Sequence, residues 1–199
     1  MWSEIEKYFD KYPAQKKVAI FLLQKGLKIN DKKRVCCDSI EIPHAKLGKS
    51  LDVDRRVVDA TVEKIYENEK LRKIYESLEV TAFYKNVAPK LGLGVIIITP
   101  DNASKKGILS GATSVITKHG LTIRQAIADD PFLVKDPKLT IITNEKIPGE
   151  VIEELKKVLK GRAVIMYPEG MMLPKFIKEQ EAYSIYVHKS LSRRISIVS

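Results

Sequence analysis

Residues 95–123 read VIIITPDNASKKGILSGATSVITKHGLTI, and with the chain that follows to Tyr167 they decide the fold. Val95–Thr99 is apolar at successive positions, the pattern of a strand buried on both faces. Pro100–Lys106 is a loop. Beyond it Ile108, Ala112, Val115 and Ile116 recur at helical spacing, with His119 on the same stripe and Gly120 as a left-handed stop. Leu121–Ala128 alternates as a strand. Leu121, Ile123 and Ile127 point one way, and Thr122, Arg124 and Ala126 the other. Leu139–Thr143 is a third strand. Pro148 opens a second helix whose buried face is Val151, Ile152, Leu155, Val158 and Leu159, and Gly161 closes it. Ala163–Tyr167 is the last strand.

Strand, helix, strand, strand, helix, strand is the order of the ferredoxin-like fold, with two helices on one face of a four-stranded antiparallel sheet. Many unrelated activities sit on that fold, and the sequence removes some of them. An RNA-recognition module stacks bases on aromatics of two central strands, and Val95–Thr99 and Leu139–Thr143 contain none. A metal carrier of this fold needs a Cys-x-x-Cys loop, and Pro100–Lys106 has no cysteine. A small-molecule sensor and an assembly domain remain.

The Asp-bearing loop after the first strand, Gly107-Ile108-Leu109 at the helix start, and Lys118-His119-Gly120-Leu121-Thr122-Ile123 together resemble the ACT domain, which binds amino acids or related effectors. The resemblance implies that the loop and the first turn of its helix meet the charged groups of a ligand. The residues concerned here are Asp101, Asn102, Ser104, Lys105, Gly107, Ile108 and Leu109. The chemistry is that of a helix N-terminus, whose free N–H groups and partial positive charge suit a carboxylate. Asp101, Asn102, Ser104 and Lys105 also fit as turn and cap residues. Gln125 stands on the otherwise apolar side of its strand. It sits near a bulge or hydrogen-bonds the helix layer, or it reaches a bound ligand or a partner subunit.

Toward the N-terminus, Ser3 and Glu6 have the spacing of a capping box, and Ile5, Tyr8, Phe9 and Tyr12 follow at helical spacing. Pro13 starts a second helix with Val18, Phe21 and Leu22 on its inner stripe and Gly26 at its end. Leu27–Ile29 and Arg34–Cys36 pair as a hairpin across Asn30-Asp31. Pro43–Ser50 is a short helix, Leu51-Asp52-Val53 a tight turn, and Asp54 the cap of a longer helix burying Val57, Val58, Thr61, Val62 and Ile65. Leu47-Gly48-x-x-Leu51-x-Val53 followed by Val57 and Val58 is the apolar skeleton of a helix-turn-helix. That places Arg55 and Arg56 in the turn that enters a DNA major groove, and Lys46 and Lys49 where they meet the backbone. This half resembles the winged helix-turn-helix of transcription regulators. The same skeleton also occurs in helical domains that make only protein contacts, and Asp59 and Glu63 put acid near the reading face. Glu67–Leu78 continues as a charged helix with Leu71, Ile74, Tyr75 and Leu78 as its apolar stripe, and links the two domains.

The charge is +10 over 199 residues. Residues 1–90 carry 19 Lys+Arg against 14 Asp+Glu, so the excess is spread over both halves and favours an anionic partner; a solvated lysine-rich surface accounts for it equally. No apolar run reaches the roughly 20 residues of a membrane span, and no signal-peptide pattern opens the chain. Cys36 and Cys37 are adjacent and the only cysteines, which suits a reducing cytoplasm rather than a disulfide scaffold. His44, His119 and His188 lack metal-ligand spacing. With no nucleophile–base pair, paired acid or phosphate loop, the sequence reads as neither an enzyme nor a cofactor carrier.

The expected architecture is α+β. A winged helix-turn-helix-like helical domain occupies residues 1–88, an ACT-like ferredoxin-fold domain residues 91–167, and a C-terminal extension of no assigned role residues 168–199. The two halves together resemble archaeal proteins predicted to regulate amino-acid metabolism. The resemblance is carried by Ile40-Glu41-Ile42-Pro43-His44, Val53-Asp54-Arg55-Arg56-Val57-Val58, Val87-Ala88-Pro89-Lys90-Leu91-Gly92-Leu93-Gly94 and Ile123-Arg124-Gln125-Ala126-Ile127. It implies a cytoplasmic transcription regulator, a homodimer or higher homo-oligomer, that binds DNA through the first half and a small effector, an amino acid, through the second. The alternative is a regulatory subunit that docks on an amino-acid biosynthetic enzyme and confers feedback control.

Overall fold

A computed structural model describes residues 2–159 and the backbone of residues 161–167 and 186–187. The chain is α+β and divides into two compact units, Met1–Ala82 and Phe83–Ser199. The division falls between Ala82 and Phe83, whereas the sequence pattern marks its boundary at Pro89 and the glycines at 92 and 94.

The first unit holds α1 (Trp2–Glu6), α2 (Pro13–Lys25), β1 (Lys28–Ile29), β2 (Val35–Cys37), β3 (Ile40–Ile42), α3 (His44–Ser50), α4 (Arg55–Glu67) and α5 (Glu69–Glu76). Pro13 opens α2, where its missing N–H costs nothing. Gly26 closes it at φ 65°, with Leu27 N–H donating to Leu22 O at 2.9 Å. Val18, Ala19 and Leu22 are its buried residues, while Phe21 is half-buried. The expected hairpin forms and gains a third strand, giving an antiparallel order β1-β2-β3 with Ile29 opposite Val35 and Val35 opposite Ile42. This sheet precedes α3, and α5 follows α4.

Glu67–Leu78 is not one continuing helix. Asn68 turns extended between α4 and α5 and caps the second, its Oδ1 accepting from Leu71 N–H at 3.0 Å. The apolar stripe expected on this stretch is buried at two of its positions. Leu71 and Tyr75 are wholly buried, and the Tyr75 hydroxyl donates to Ala19 O at 3.1 Å, with burial pushing that phenol well above its ordinary pKa. Each such large side chain contributes about 1.5–3 kcal/mol by leaving water, so α5 belongs to the core of its unit.

The second unit holds a 3-10 turn (Ala88–Leu91), β4 (Gly94–Pro100), α6 (Ile108–Lys118), β5 (Ile123–Ala128), β6 (Leu139–Thr143), α7 (Gly149–Leu159), β7 (Gly161–Tyr167) and β8 (Tyr186–Val187). The sheet order is β5-β6-β4-β7-β8, antiparallel except where β8 joins β7 in parallel. Both helices pack on one face, where Ala112, Val115, Ile116, Val151 and Leu155 meet Ile96, Ile98 and Ile141. On the other face Val95 and Ile142 lie under Ala88 of the 3-10 turn. In the C-terminal extension the sequence pattern expects a short helix over Met171–Gln180 and a hairpin over Ser184–Ser199; apart from Tyr186–Val187 these lie outside the described residues.

The expected alternation along β5 is overturned by a bulge. Ile123 pairs with Thr143, but Gln125 pairs with Ile142 and Ala126 with Ile141. Directly opposed residues share a face. Ile123 therefore joins the helix-side core, while Gln125 and Ile127 pass to the opposite face with Ile142. One extra residue exchanges the two faces for the rest of the strand.

Candidate functional site

In the first unit the turn between α3 and α4 is built without slack. Leu51 N–H donates to Gly48 O and Leu47 O, each at 3.1 Å, and Val53 N–H donates to Gly48 O at 3.0 Å. A Cβ on Gly48 would stand 2.8 Å from Val53 O, so only glycine lets α3 approach the turn this closely. Asp52 takes a left-handed conformation at φ 51°. Asp54 caps α4, its Oδ1 accepting from Arg56 N–H at 2.7 Å. The first turn of α4 is thereby fixed, with Arg55 and Arg56 exposed beside exposed Lys46 and Lys49 on α3.

The two acids near this face are both engaged. Asp59 Oδ1 lies 2.7 Å from His44 Nδ1, and Asp59 Oδ2 lies 3.2 Å from Arg55 Nε. The hydrogen bond from His44, then the charge of Arg55, holds the Asp59 carboxyl below its usual range. With Asp59 ionised, His44 Nδ1 is the donor, and among the described residues buried His44 Nε2 has no hydrogen-bond partner. Glu63 accepts from Lys33, which in turn lies 5.1 Å from the centre of the Tyr66 ring. Lys33 is held protonated above its ordinary range chiefly by that bond to Glu63. Sequence spacing placed Asp59 and Glu63 near the reading face but missed their partners, because His44 and Lys33 come from α3 and from the β1–β2 turn.

In the second unit a cavity of about 220 Å³ opens where β4 and β5 end and β6 begins. Ile98, Leu139 and Ala128 lie side by side in the sheet there. Of the residues expected to meet a ligand, Lys105, Gly107, Ile108 and Leu109 line it. Gly107 caps α6 at φ 90°, and the nearest atom to a Cβ there is Ser110 Oγ at 3.8 Å, so the helix N-terminus is open to an approaching group. Asp101, Asn102 and Ser104 are not in the wall. Asn102 shapes the loop instead, its Oδ1 accepting from Ser104 N–H at 3.0 Å and its O from Lys105 N–H at 3.2 Å.

Gln125 is on the other side of the sheet, where its Oε1 accepts from Tyr84 N–H at 3.1 Å. Asp129 and Lys138 also line the cavity, and sequence reasoning passed over both. Asp129 Oδ2 accepts from Lys138 N–H at 3.1 Å, which leaves the Lys138 ammonium on its own flexible stem. The strand order alone signals them, since parallel neighbours of one antiparallel strand must end together.

Among the described residues no group of three or more His, Cys, Asp or Glu has the geometry of a metal site, and no helix is long and apolar enough to cross a membrane. Cys36 and Cys37 are both free, and burial pushes the Cys36 thiol up. No family model matches the sequence, and no curated protein matches it.

Proposed function

We propose that this chain is a transcription regulator of amino-acid metabolism that binds DNA through α3 and α4 and a small effector, an amino acid, through a ferredoxin-like, ACT-like second unit. The observation that carries the reading is the first turn of α4. Two arginines stand exposed on a helix start locked by Gly48 and the Asp54 cap, while the neighbouring acids are engaged by His44, Arg55 and Lys33. Arginine on the first turn of a groove-entering helix reads guanine edges or holds phosphates. The sheet order and the one-sided helix layer support the ferredoxin-like reading of the second unit.

The cavity supports the effector arm. An α-amino acid carries a carboxylate and an ammonium close together. The open N-terminus of α6, Lys105 and Lys138 suit the first, and Asp129 suits the second. Pairing of two copies would set the spacing of two α4 helices on half-sites one DNA turn apart, and an effector would bias that spacing by favouring one arrangement.

The test is a gel shift over rising salt, with the Arg55→Ala/Arg56→Ala double variant as control. Wild-type binding no tighter than the variant at any salt would refute the DNA arm. A thermal-shift screen of the twenty amino acids tests the effector arm, since a ligand at ~100 times its Kd adds ~2.7 kcal/mol of stability. No shift with any of them would remove the amino acid from the reading.

A further inference from the structure

The β1–β2 turn carries a basic cluster, Lys32-Lys33-Arg34, that the helix-turn-helix does not absorb. Its shape is fixed by one residue. Asn30 Oδ1 accepts from Lys32 N–H at 3.1 Å and from Arg34 N–H at 2.8 Å. Asn30 N–H donates to Arg34 O at 2.9 Å, and Lys33 N–H donates to Asn30 O at 3.0 Å. Lys33 sits at φ 56°. The three side chains then divide their work. Lys33 reaches across to Glu63 and lies over the Tyr66 ring of α4. Lys32 and Arg34 are exposed, and neither forms an ion pair among the described residues.

The tie at Glu63 decides where those two free cations stand. Glu63 is seven residues beyond Arg56, so the two share a face of α4. At 1.5 Å per residue they lie about 10 Å apart along the axis, close to the ~12 Å width of a major groove. A helix seated in the groove by its first turn therefore carries the β1–β2 turn toward the phosphates at the groove's edge. The turn is held by its own hydrogen bonds, so little ordering is required when it binds.

We propose that the turn Asn30–Arg34 is a second nucleic-acid contact, in which Lys32 and Arg34 hold the phosphate backbone of double-stranded DNA while Lys33 positions the turn on α4. The inference rests on the DNA reading above and adds to it a site outside the helix pair. It assigns these two residues affinity without sequence preference, because phosphates carry no base information.

The experiment measures the Kd of the full chain for a mixed-sequence DNA duplex by fluorescence anisotropy across a salt series. Wild type, Lys32→Ala/Arg34→Ala and Arg55→Ala/Arg56→Ala are compared, with thermal midpoints as a check on folding. Each lost phosphate contact lowers the slope of log K against log salt by about 0.9, so the turn variant should lose about two from the slope and keep its midpoint. Charge reversal, Lys32→Glu/Arg34→Glu, should weaken binding further. An unchanged slope in both turn variants, with binding still lost in the Arg55/Arg56 variant, overturns this inference and leaves the DNA reading standing. No binding by wild type overturns both.

Discussion

His44 Nδ1 and Asp59 Oδ1 lie 2.7 Å apart, joining the first residue of α3 to the middle of α4. The histidine is buried and the carboxylate is half-exposed, with its other oxygen on Arg55. Asp59→Ala would leave the buried Nδ1–H without an acceptor, a loss of about 1–3 kcal/mol. Asp59→Asn keeps an acceptor oxygen and should lose less. The folded carboxyl titrates below its usual value of 3.8. Its contribution is therefore fully present above that pH and fades as pH falls through the folded pKa. Urea titrations at several pH values should show the gap between wild type and Asp59→Ala narrowing progressively below pH 3.8; a gap that stays constant down to acid unfolding would contradict the pairing.

Two left-handed glycines with the same conformation should respond differently to a methyl group. A Cβ on Gly26 would stand 2.2 Å from Glu79 O at φ +65°, whereas one on Gly92, at φ +77°, meets nothing within 4 Å. Gly92→Ala bears only the left-handed strain, about 1–2 kcal/mol. Gly26→Ala adds a collision with backbone that cannot step aside, typically another 1–3 kcal/mol. Differential denaturation of the two variants checks this, and equal losses would mean that the chain after α5 does not press on the end of α2.

Gln125 joins β5 to the segment before β4. Its Oε1 accepts from Tyr84 N–H at an exposed site, so Gln125→Ala should cost only about 0.5–1.5 kcal/mol. Its local effect is the sharper readout. Amide exchange at Tyr84 should accelerate, while exchange in Leu139–Thr143, paired through the backbone, stays slow. No change at Tyr84 would show that the bond is not made in solution.

The same residue shows where sequence reading stops. Runs such as Val95–Thr99 and the Val151–Leu155 stripe gave their elements correctly, because burial imposes a period that side chains must follow. A bulge leaves only a faint mark, here Gln125 on an otherwise apolar side, which the sequence read as either a bulge neighbour or a ligand contact and which the register shift between Ile123 and Gln125 resolves. The bulge shifts the period by one inside a run that still alternates, and Gln125 moved from the helix face to the opposite one. Asn68 was hidden for a related reason: a cap between two helices in register looks like one helix. At the candidate sites, residues within one loop or turn were legible, including Arg55, Arg56, Lys105 and Gly107. Those brought in by distant elements were not, including His44 and Lys33 as partners and Asp129 and Lys138 in the cavity wall.

Glu154 ties the end of α6 to α7. Its Oε1 lies 2.6 Å from Lys118 Nζ and its Oε2 lies 2.9 Å from His119 Nε2. The bond from Lys118, then that from His119, holds the carboxyl below its usual 4.5. Stability from this contact is present above pH 4.5 and is lost as pH falls through the lower folded value. Glu154→Gln should lower the thermal midpoint slightly at pH 7, less so in high salt, and not at all at pH 2. An effect of equal size at pH 7 and pH 2 would show that the charge is not what matters.

The cavity makes the last prediction, because its charged residues do little for the fold. Lys105 and Lys138 are exposed, and neither forms an ion pair among the described residues, so alanine at either should leave the thermal midpoint of the free protein nearly unchanged, within about 0.5 kcal/mol. A hydrogen bond to a charged ligand group is another matter, worth about 1.5–3 kcal/mol, which is roughly ten- to hundredfold in Kd. If the cavity takes an amino acid, Lys105→Ala and Lys138→Ala should each shrink the ligand-induced thermal shift by that amount. Gly107→Ala should act differently. It strains the cap of α6 at φ 90° without a collision, lowering the midpoint of the free protein by about 1–2 kcal/mol and crowding the N–H groups that a carboxylate would meet. Calorimetric titration of the three variants separates the two behaviours. Lysine variants that bind the effector as tightly as wild type would move the ligand away from this cavity, whatever the chain does on DNA.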